Sequence, residues 1–336
     1  MLRRRRMVGW TLERMFASLA WLGGFAPHAR PSFHGLKRQK DHVFHEDDHG
    51  PRHLDVYTPA GEGPWPVVLY IHGGAFQALS KDSHWLMGLA FARRGYLVFS
   101  ANYRLAPEHP FPGGVEDVGA AWRWVVENCQ RFGGDPARIV VSGESAGANL
   151  VTSLAIATCF ARPEPWARAV FELGHLPAAV VPFCGYLQVS DAQRLVTGKR
   201  GIAWFVRDRI LDVEDQYIGW GRDAADPTLD LANPLLFLEG DRQPERPLPP
   251  FFLSCGGSDP LLDDTNRLHV ALERRRVRHQ SITYDGGTHA FQAFVWNDRA
   301  RRCWRDCFAF LDAVLADAAG TGDADQGDTA LEREAG

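Results

Sequence analysis

The feature that most constrains the fold is a series of short, uniformly apolar segments. They lie at residues 67–71, 96–100, 138–142, 178–182 and 251–254. Runs without polar alternation are typical of parallel strands covered on both faces, and several of the segments between them have the pattern of helices. We therefore expect an open α/β fold, in which a mostly parallel sheet carries helices on both faces.

Two of the intervening segments carry an apolar stripe at helical spacing. One stripe runs along residues 304–315, and the other consists of Val115, Val118, Trp122 and Val125. Such stripes predict helices that pack one face against the sheet. Residues 53–57 instead alternate between polar and apolar side chains, which predicts a half-exposed leading strand.

The alternation of strands and helices stops between residues 185 and 250. The apolar residues of this stretch look helical and are rich in aromatics, among them Trp204, Phe205, Tyr217 and Trp220. We expect an insertion between two core strands that caps a site, because insertions of this kind often line binding pockets. An ordinary packing extension is the alternative.

The N-terminus is open to two interpretations. Arg3–Arg6 precede an apolar stretch, residues 15–25, that is too short to span a membrane. The spacing of Leu12, Met15, Phe16, Leu19 and Leu22 favours an amphipathic helix. A signal peptide, or a helix that lies on a membrane surface, is the alternative.

Composition excludes several classes of function. The net charge of −4 argues against a dedicated nucleic-acid binder. The six cysteines form no CxxC pair, so we expect buried free thiols and neither a disulfide framework nor a zinc knuckle. No phosphate-binding glycine motif is present, so the sequence gives no support for a nucleotide cofactor.

Four histidines form a polar tract near the N-terminal end of the predicted sheet: His42, His45, His49 and His53. Their spacing resembles a metal-binding tract. A polar hairpin that joins the first two strands is the reading we prefer.

The glycine-flanked serine at residues 143–147, GESAG, is the clearest chemical signal. It follows one predicted strand and opens an apolar helix, which is the context that a nucleophile elbow requires. The glycines allow a sharp turn that exposes Ser145 above the sheet. A serine hydroxyl is a poor nucleophile by itself and needs a base that an acid holds in place.

Asp259 and His289 are the expected acid and base. In this fold the order along the chain is serine, acid, histidine, and both residues follow predicted strands at the sheet edge where open α/β folds build their sites. Asp263 and Asp264 are rival acids within a predicted helix. His175 precedes the acid, and His269 and His279 lie in or beside a charged helix.

An oxyanion hole is predicted from HGGAF at residues 72–76, directly after the strand at 67–71. Glycine lets a backbone N–H approach a ligand oxygen closely. We expect the N–H groups of Gly73, Gly74 and Ala146 to converge on the developing oxyanion. A tight turn without function is the alternative for these glycines.

Five segments together make the sequence resemble the hormone-sensitive-lipase-like branch of the α/β hydrolases, which includes bacterial carboxylesterases and arylacetamide-deacetylase relatives. The segments are HGGAF at 72–76, YRLAPEHPFP at 103–112, GESAG at 143–147, SDPLLDD at 258–264 and GTHAF at 287–291. The resemblance implies an α/β-hydrolase fold with an eight-stranded, mostly parallel sheet and a helical cap. It maps Ser145, Asp259 and His289 to a catalytic triad.

The same resemblance implies a division of the chain into three parts. Residues 1–40 are expected to form an N-terminal cap segment, residues 41–318 the catalytic domain with its cap insertion at about 185–250, and residues 319–336 a tail. Because the tail is acidic and lacks aromatic residues, we expect it to be disordered.

Two departures from the family pattern concern the pocket. Ala75 stands where the family often has a third glycine, so we expect either a narrower acyl pocket or discrimination against bulky alcohols such as tertiary ones. Glu144 replaces an aspartate common in bacterial members, and we interpret it as a buried structural partner. Arg104, Glu108 and His109 are interpreted as residues that hold a loop.

The function implied is cofactor-free hydrolysis of short- to medium-chain esters through an acyl-enzyme, with no metal. An aryl-amide or formamide hydrolase, a lipase of the same fold, and a non-catalytic ligand-binding protein are the alternatives. The expected partner is a small ester, with no nucleic acid. A monomer and a homodimer both remain open, and the expected location is cytoplasmic, with membrane association or export as the alternative.

Overall fold

A computed structural model describes residues 27–197, 204–219, 222–223 and 226–331. Within them the chain forms eight strands: β1 Lys37–Asp47, β2 Gly50–Thr58, β3 Trp65–Ile71, β4 Leu97–Ala101, β5 Gly134–Glu144, β6 Ala179–Phe183, β7 Phe251–Gly256 and β8 His279–Tyr284. Their order across the single sheet is β1-β2-β4-β3-β5-β6-β7-β8. The pairs β1–β2 and β2–β4 are antiparallel, and the remaining pairs are parallel.

The helices of the described residues alternate with these strands. They are α1 Trp85–Arg93, α2 Gly113–Asn128, α3 Ala146–Cys159, α4 Pro165–Glu172, α5 Trp204–Tyr217, α6 Pro234–Glu239, α7 Leu262–Arg274 and α8 Asp298–Leu331. Short 3₁₀ turns lie at Pro27–Ala29, Pro31–His34, Cys129–Phe132, Ala192–Leu195, Pro227–Leu229 and Phe291–Ala293.

Both faces of the sheet are covered, as the continuous apolar strands predict. In β3, Val67, Leu69 and Ile71 belong to one core cluster, which includes Trp122 of α2 and Leu150 of α3. The intervening Val68 and Tyr70 belong to a second cluster, which includes Phe91 of α1 and Leu311 of α8. Because successive side chains of a strand point to opposite faces, β3 joins two cores. The predicted α/β class and its mostly parallel sheet are confirmed.

The histidine tract lies in the β1–β2 hairpin. The two strands pair antiparallel from Lys37 opposite Thr58 to Asp47 opposite Gly50, with two register irregularities in β1. His42 contacts Phe132 and Gln39, and His49 stacks edge-on against His109. The preferred reading, a polar hairpin between the first two strands, matches the structure.

The segment between β6 and β7 spans residues 184–250 and contains α5 and α6. Buried polar side chains hold its base. Asp264 of α7 accepts hydrogen bonds from the N–H groups of Leu187 and Gln188 at 2.9 and 3.1 Å. Asn233 accepts from the N–H groups of Val189 and Ser190 at 2.8 and 2.9 Å. This segment, which we call the cap segment, is therefore anchored to the core by fully buried hydrogen bonds.

The structure describes the two ends of the chain only in part. The amphipathic stretch and the arginines at 3–6 lie outside the described residues, so the structure describes the predicted N-terminal cap only from residue 27. At the other end α8 runs from Asp298 to Leu331. The disorder expected for residues 319–336 stays a prediction.

In the part of the chain that is described, no helix is both long enough and apolar enough to cross a membrane.

Candidate active site

Ser145 occupies the sharp turn between β5 and α3. Its backbone has φ 55° and ψ −113°, a conformation that a side-chain-bearing residue rarely adopts. Its N–H donates to the carbonyl of Phe183 on the neighbouring strand β6 at 2.9 Å. A conformation of this kind costs about 1–3 kcal/mol and persists only where the surroundings impose it. The sharp turn predicted for the elbow is therefore present, and its strain lies at the serine itself.

The two glycines of the elbow are required by close backbone approach. A Cβ at Gly147 would lie 2.2 Å from the carbonyl oxygen of Ile71 and 2.6 Å from that of His72. A Cβ at Gly143 would lie 2.5 Å from the Gly147 backbone. Real Cβ atoms do not approach backbone so closely. The elbow thus packs directly against the loop after β3, which carries the predicted oxyanion hole.

Asp259 and His289 meet above the carboxyl ends of β7 and β8. The Nδ1–H of His289 donates to Oδ2 of Asp259 at 2.9 Å, and the other carboxylate oxygen accepts from the N–H of Leu261 at 2.8 Å. The Asp259 side chain is fully buried, whereas the His289 side chain is 37% exposed. The acid is therefore fixed by two hydrogen bonds, and the imidazole is held by the acid but open to the solvent side.

The pKa of His289 follows from these surroundings. Loss of hydration opposes the imidazolium, but the negative charge of Asp259 and its hydrogen bond raise the pKa of His289 well above its usual value. The charged form of the ring is thus favoured by the same carboxylate that orients it. A proton accepted by this imidazole would therefore be stabilised by the Asp259 carboxylate.

The structure separates Asp259 from its rivals. Asp264 is buried beneath the cap segment, where it pairs with Arg194 at 2.6 Å, and Asp263 is 57% exposed. Among the other histidines, His175 bonds the carbonyl of Pro136, and His269 contacts His279. Of the residues considered from sequence, the structure brings Asp259 alone to His289.

The loop after β3 leaves two backbone donors available. The N–H groups of Gly73 and Gly74 donate to no acceptor in the described part of the chain. Gly74 has φ 118°, and a Cβ there would lie 2.0 Å from the carbonyl oxygen of Ala78. The following residues Ala75 and Phe76 also have positive φ, at 56° and 62°. In this strained loop the N–H groups of Gln77 and Ala78 donate to the Gly74 carbonyl, whereas those of Gly73 and Gly74 are left without an acceptor among the described residues.

His72 fixes the conformation of that loop. Its ring is fully buried and stacks on Tyr103 with centroids 4.4 Å apart. Burial lowers the pKa of His72 to about 3, so the ring is neutral. Its Nδ1 lies 2.7 Å from the carbonyl oxygen of Gly73, which can only accept. The ring therefore donates there and holds the Gly73 carbonyl, leaving the N–H side of the loop free.

Glu144 links the serine elbow to the histidine loop. One carboxylate oxygen lies 3.1 Å from Nε2 of His84, and the other accepts from Nε2 of Gln292 at 2.7 Å. Gln292 follows His289 by three residues. The interpretation of Glu144 as a buried structural partner agrees with these contacts. Sequence reasoning missed His84 and Gln292, which carry no motif signal beyond their proximity to the two signature segments.

Cys184 is a further residue that sequence reasoning missed. It follows β6, and its sulfur lies within 4.8 Å of ligand atoms of both Asp259 and His289. Burial raises the pKa of the Cys184 thiol, which keeps it neutral. The rule that open α/β sheets build sites at the carboxyl ends of their strands could have identified it. A thiol, a carboxylate and an imidazole are a set that can bind a soft divalent ion, but here the last two bond each other.

The YRLAPEHPFP loop is held by ion pairs. Arg104 pairs with Asp117 of α2 at 2.9 Å and with Glu116 at 3.0 Å, and Asp117 also accepts from Arg52 of β2. These contacts agree with a loop-holding role for Arg104. The loop itself lies against the cap segment, because the N–H of Phe111 donates to the carbonyl of Tyr217 at 2.8 Å.

The cap segment also touches the loop that carries Gly73 and Gly74. Tyr217 of α5 stacks on Phe76 with centroids 3.8 Å apart, and Arg209 donates to the side chain of Gln77 at 2.7 Å. Of the aromatic residues expected to line a cap, Tyr217 is buried, Trp204 is 57% exposed, and Trp220 lies outside the described residues. Helix α5 therefore rests on the predicted oxyanion loop through an aromatic stack and a side-chain hydrogen bond.

Comparison with known proteins gives the class to which this fold and this serine elbow belong. Residues 68–293 match a family model described as alpha/beta hydrolase fold. That match covers well over half of the chain, so the protein belongs to the α/β-hydrolase family, in its hormone-sensitive-lipase-like branch.

Particular relatives include two mycobacterial proteins. The chain is 36% identical over 214 residues to carboxylesterase NlhH of Mycobacterium tuberculosis, covering 62% of this chain and 60% of the relative. It is 34% identical over 243 residues to carboxylic ester hydrolase LipN of the same organism, covering 70% and 59%. The chain thus spans about 60% of the length of these curated relatives.

A solved structure shows the same fold. The esterase LipW from Mycobacterium marinum superposes with a TM-score of 0.72 at 23% identity, over 95% of this chain and 91% of that one. The likeness extends well beyond the five signature segments and confirms the predicted fold across nearly the whole chain.

Proposed function

We propose that this protein is a serine carboxylesterase that hydrolyses short- to medium-chain esters through an acyl-enzyme intermediate. The observation that carries the proposal is the 2.9 Å hydrogen bond between the buried Asp259 and His289, which lies at the same sheet edge as the strained Ser145. The names of the relatives, carboxylesterase and carboxylic ester hydrolase, support an ester as the substrate class.

In the first half of the reaction, the Ser145 hydroxyl attacks the ester carbonyl carbon while His289 takes its proton. The carbonyl oxygen gains a negative charge, which the N–H groups of Gly73, Gly74 and Ala146 stabilise. Asp259 holds the ring so that Nδ1 keeps its proton and the other nitrogen is left to act as the base. When the tetrahedral intermediate collapses, His289 gives its proton to the leaving alkoxide, and the acyl group remains on Ser145.

In the second half, water replaces the alcohol. His289 removes a proton from the water, whose oxygen attacks the acyl carbon and forms a second tetrahedral intermediate at the same N–H groups. Its collapse breaks the bond to Ser145, which recovers the proton from His289. The carboxylic acid leaves, and the enzyme returns to its starting state without any cofactor.

The test is hydrolysis of p-nitrophenyl acetate, butyrate, octanoate and palmitate by the wild type and by Ser145→Ala. We expect activity that is highest on the short esters and falls by about 10⁵-fold or more in the variant. Ser142→Ala is the matched control, because that hydroxyl bonds the carbonyl of Val181 within the sheet and should leave turnover intact. Wild-type inactivity on every ester, or equal turnover by Ser145→Ala, would refute the proposal.

The same assay separates the alternatives. An aryl formamide and acetanilide are included beside the esters, and a preference for either would favour the amide hydrolase. Activity that rises toward palmitate would favour the lipase. Stoichiometric labelling of Ser145 by a fluorophosphonate, checked by mass spectrometry, would show that the serine reacts even where no substrate in the panel is turned over.

We further propose a cytoplasmic location. All six cysteines are buried free thiols, which suits a reducing compartment. Cell fractionation combined with sequencing of the mature N-terminus tests this. An intact N-terminus in the soluble fraction is expected, and cleavage or recovery with membranes would favour export or anchoring. Size-exclusion chromatography with light scattering decides between monomer and homodimer.

A further inference from the structure

Three side chains with metal-ligand chemistry meet at the edge of the sheet, apart from the candidate active site. His269 and Glu273 lie one turn apart on α7, and His279 is the first residue of the edge strand β8. One nitrogen of each ring and one carboxylate oxygen all lie within 4.8 Å of one another. Two imidazoles and a carboxylate are a donor set that borderline divalent ions such as zinc prefer.

The tautomer of His279 is set by the backbone. Its Nδ1 lies 2.8 Å from the carbonyl oxygen of Val277, and because that oxygen can only accept, Nδ1 carries the hydrogen. The neutral ring therefore presents a bare lone pair on Nε2. Metal-binding histidines are usually oriented in this way, with the second ring nitrogen donating to a carbonyl or carboxylate.

That lone pair faces His269. Nε2 of His279 and Nδ1 of His269 are 2.8 Å apart, a distance at which one ring donates an N–H to the other. Two nitrogens bound to one zinc ion stand about 3.3 Å apart, given zinc–nitrogen distances near 2.0–2.1 Å and a tetrahedral angle. The rings would have to separate by only about half an ångström. Glu273, whose side chain is 59% exposed, is free to turn toward them.

Three arginines of the neighbouring turn are engaged elsewhere. Arg274 and Arg275 donate to backbone carbonyl oxygens of residues 238–242, and Arg278 pairs with Asp317 at 2.6 Å. The carboxylate of Glu273 lies 3.6 Å from Nε2 of His269. A carboxylate beside two imidazole ligands would offset part of the charge of a bound cation.

We propose that His269, Glu273 and His279 form a binding site for a divalent transition-metal ion, with zinc as the representative ion and water completing its coordination. The site ties the C-terminal turn of α7 to the first residue of β8. Asp259 lies three residues before α7, and His289 lies five residues after β8. A bound ion would therefore clamp together the far ends of the two elements that lead to these residues. The proposal is independent of the proposed esterase function.

The test is zinc binding to the full-length protein, measured by competition with a chromophoric chelator after all metal has been removed. We expect His269→Ala/His279→Ala to lose one zinc equivalent, and Glu273→Gln to weaken binding at that equivalent at least about tenfold. Glu273→His should tighten it, since a third imidazole replaces the carboxylate. His175→Ala is the matched control, because that ring bonds the Pro136 carbonyl and should leave binding unchanged.

A second set of measurements distinguishes loss of this site from misfolding and from zinc binding at Cys184, Asp259 and His289. Zinc should raise the midpoint of thermal unfolding of the wild type but raise it less in the double variant, whose circular dichroism should match the wild type without metal. Zinc at the other set would inhibit ester hydrolysis equally in both proteins. Equal zinc stoichiometry and affinity in the wild type and the double variant would overturn the proposal, as would a Glu273→His variant that binds no more tightly.

Discussion

The loops at the carboxyl ends of the strands and the cap segment above them are built by different means. The loops after β3 and β5 are shaped by backbone contacts so close that only glycine fits, as at Gly74 and Gly147. The cap segment is held by side chains, through the Tyr217–Phe76 stack and the buried acceptors Asp264 and Asn233. Backbone contacts tolerate no substitution, whereas side-chain packing can be rearranged. We therefore expect chemistry to reside in the first region and substrate choice in the second.

Gly147→Ala is the most direct test of the claim that backbone contacts shape the first region. The added Cβ would lie 2.2 Å from the carbonyl oxygen of Ile71, and since that atom belongs to the central strand β3 it cannot give way. We expect a loss of more than about 3 kcal/mol in the free energy of unfolding and no measurable ester hydrolysis. Urea denaturation followed by circular dichroism measures the first quantity.

Gly113→Ala is the control for that substitution. It adds the same methyl group to a buried helical glycine, but the nearest atom is 3.4 Å away, at an ordinary contact distance. Stability there should be unchanged or slightly higher, because alanine favours the helix over glycine. A folded, active Gly147→Ala enzyme would show that the elbow is more plastic than its contacts indicate.

The next largest effect is expected for Asp259→Asn, which keeps the shape of the acid and removes its charge. We expect kcat to fall by about 10³–10⁴-fold, since the amide favours the wrong tautomer of His289 and cannot stabilise the imidazolium. Asp263→Asn, which alters the exposed rival acid, should leave kcat unchanged. If the two variants were equally active, Asp259 would not be the acid.

The pH dependence of Asp259→Asn sharpens the assignment. In the wild type the pKa of His289 is raised, and hydrolysis needs the neutral ring, so kcat/KM should fall as the pH falls through that raised value. Without the carboxylate the pKa of His289 drops, and the acid limb of the residual activity should move to lower pH. A limb that does not move would mean that another group titrates.

These residues also show how much of the fold and of the candidate site could be predicted from the sequence. The parallel sheet, the elbow and the Asp259–His289 pair could be predicted because each depends on local pattern: continuous apolar strands, glycines beside a serine, and polar residues directly after strands. His84 and Gln292 could not, because each reaches the site through contacts between residues far apart in the chain, whereas Cys184 could have been identified by its place directly after β6. The packing of Tyr217 on Phe76 could not be predicted either, since the sequence pattern of a helix does not show which surface its aromatic residues contact.

Glu144 belongs to the backbone-shaped elbow and also makes side-chain hydrogen bonds, so substituting it tests both means of holding the site. Glu144→Ala would leave His84 and Gln292 without their shared acceptor and would loosen the loop that follows His289. We expect kcat to fall by about 10- to 100-fold with little change in KM, because the histidine is misplaced while the pocket is intact. Glu144→Gln keeps an oxygen for Gln292 and should recover most of the loss. If Glu144→Ala lowered the stability but did not lower kcat more than it changed KM, Glu144 would be a purely structural residue.

The smallest effects are expected in the cap segment, at Tyr217. Tyr217→Leu removes the ring that stacks on Phe76, and we expect a loss of about 1–3 kcal/mol in stability. Because this ring rests on the loop of Gly73 and Gly74, KM for the longer esters should change more than kcat for the acetate. Trp204→Ala, at the exposed start of the same helix, should leave stability unchanged.

Tyr217→Phe separates the ring from its hydroxyl. The hydroxyl is buried and has no hydrogen-bond partner among the described residues, whereas the ring makes the stack. Removing an unpartnered buried polar group costs nothing and relieves its desolvation, so stability should be unchanged within about 0.5 kcal/mol or slightly higher. If Tyr217→Phe instead raised KM several-fold, the hydroxyl would be contacting substrate. The cap segment would then supply a polar contact to the ester as well as a surface, and the division between the two regions would be less sharp than their construction indicates.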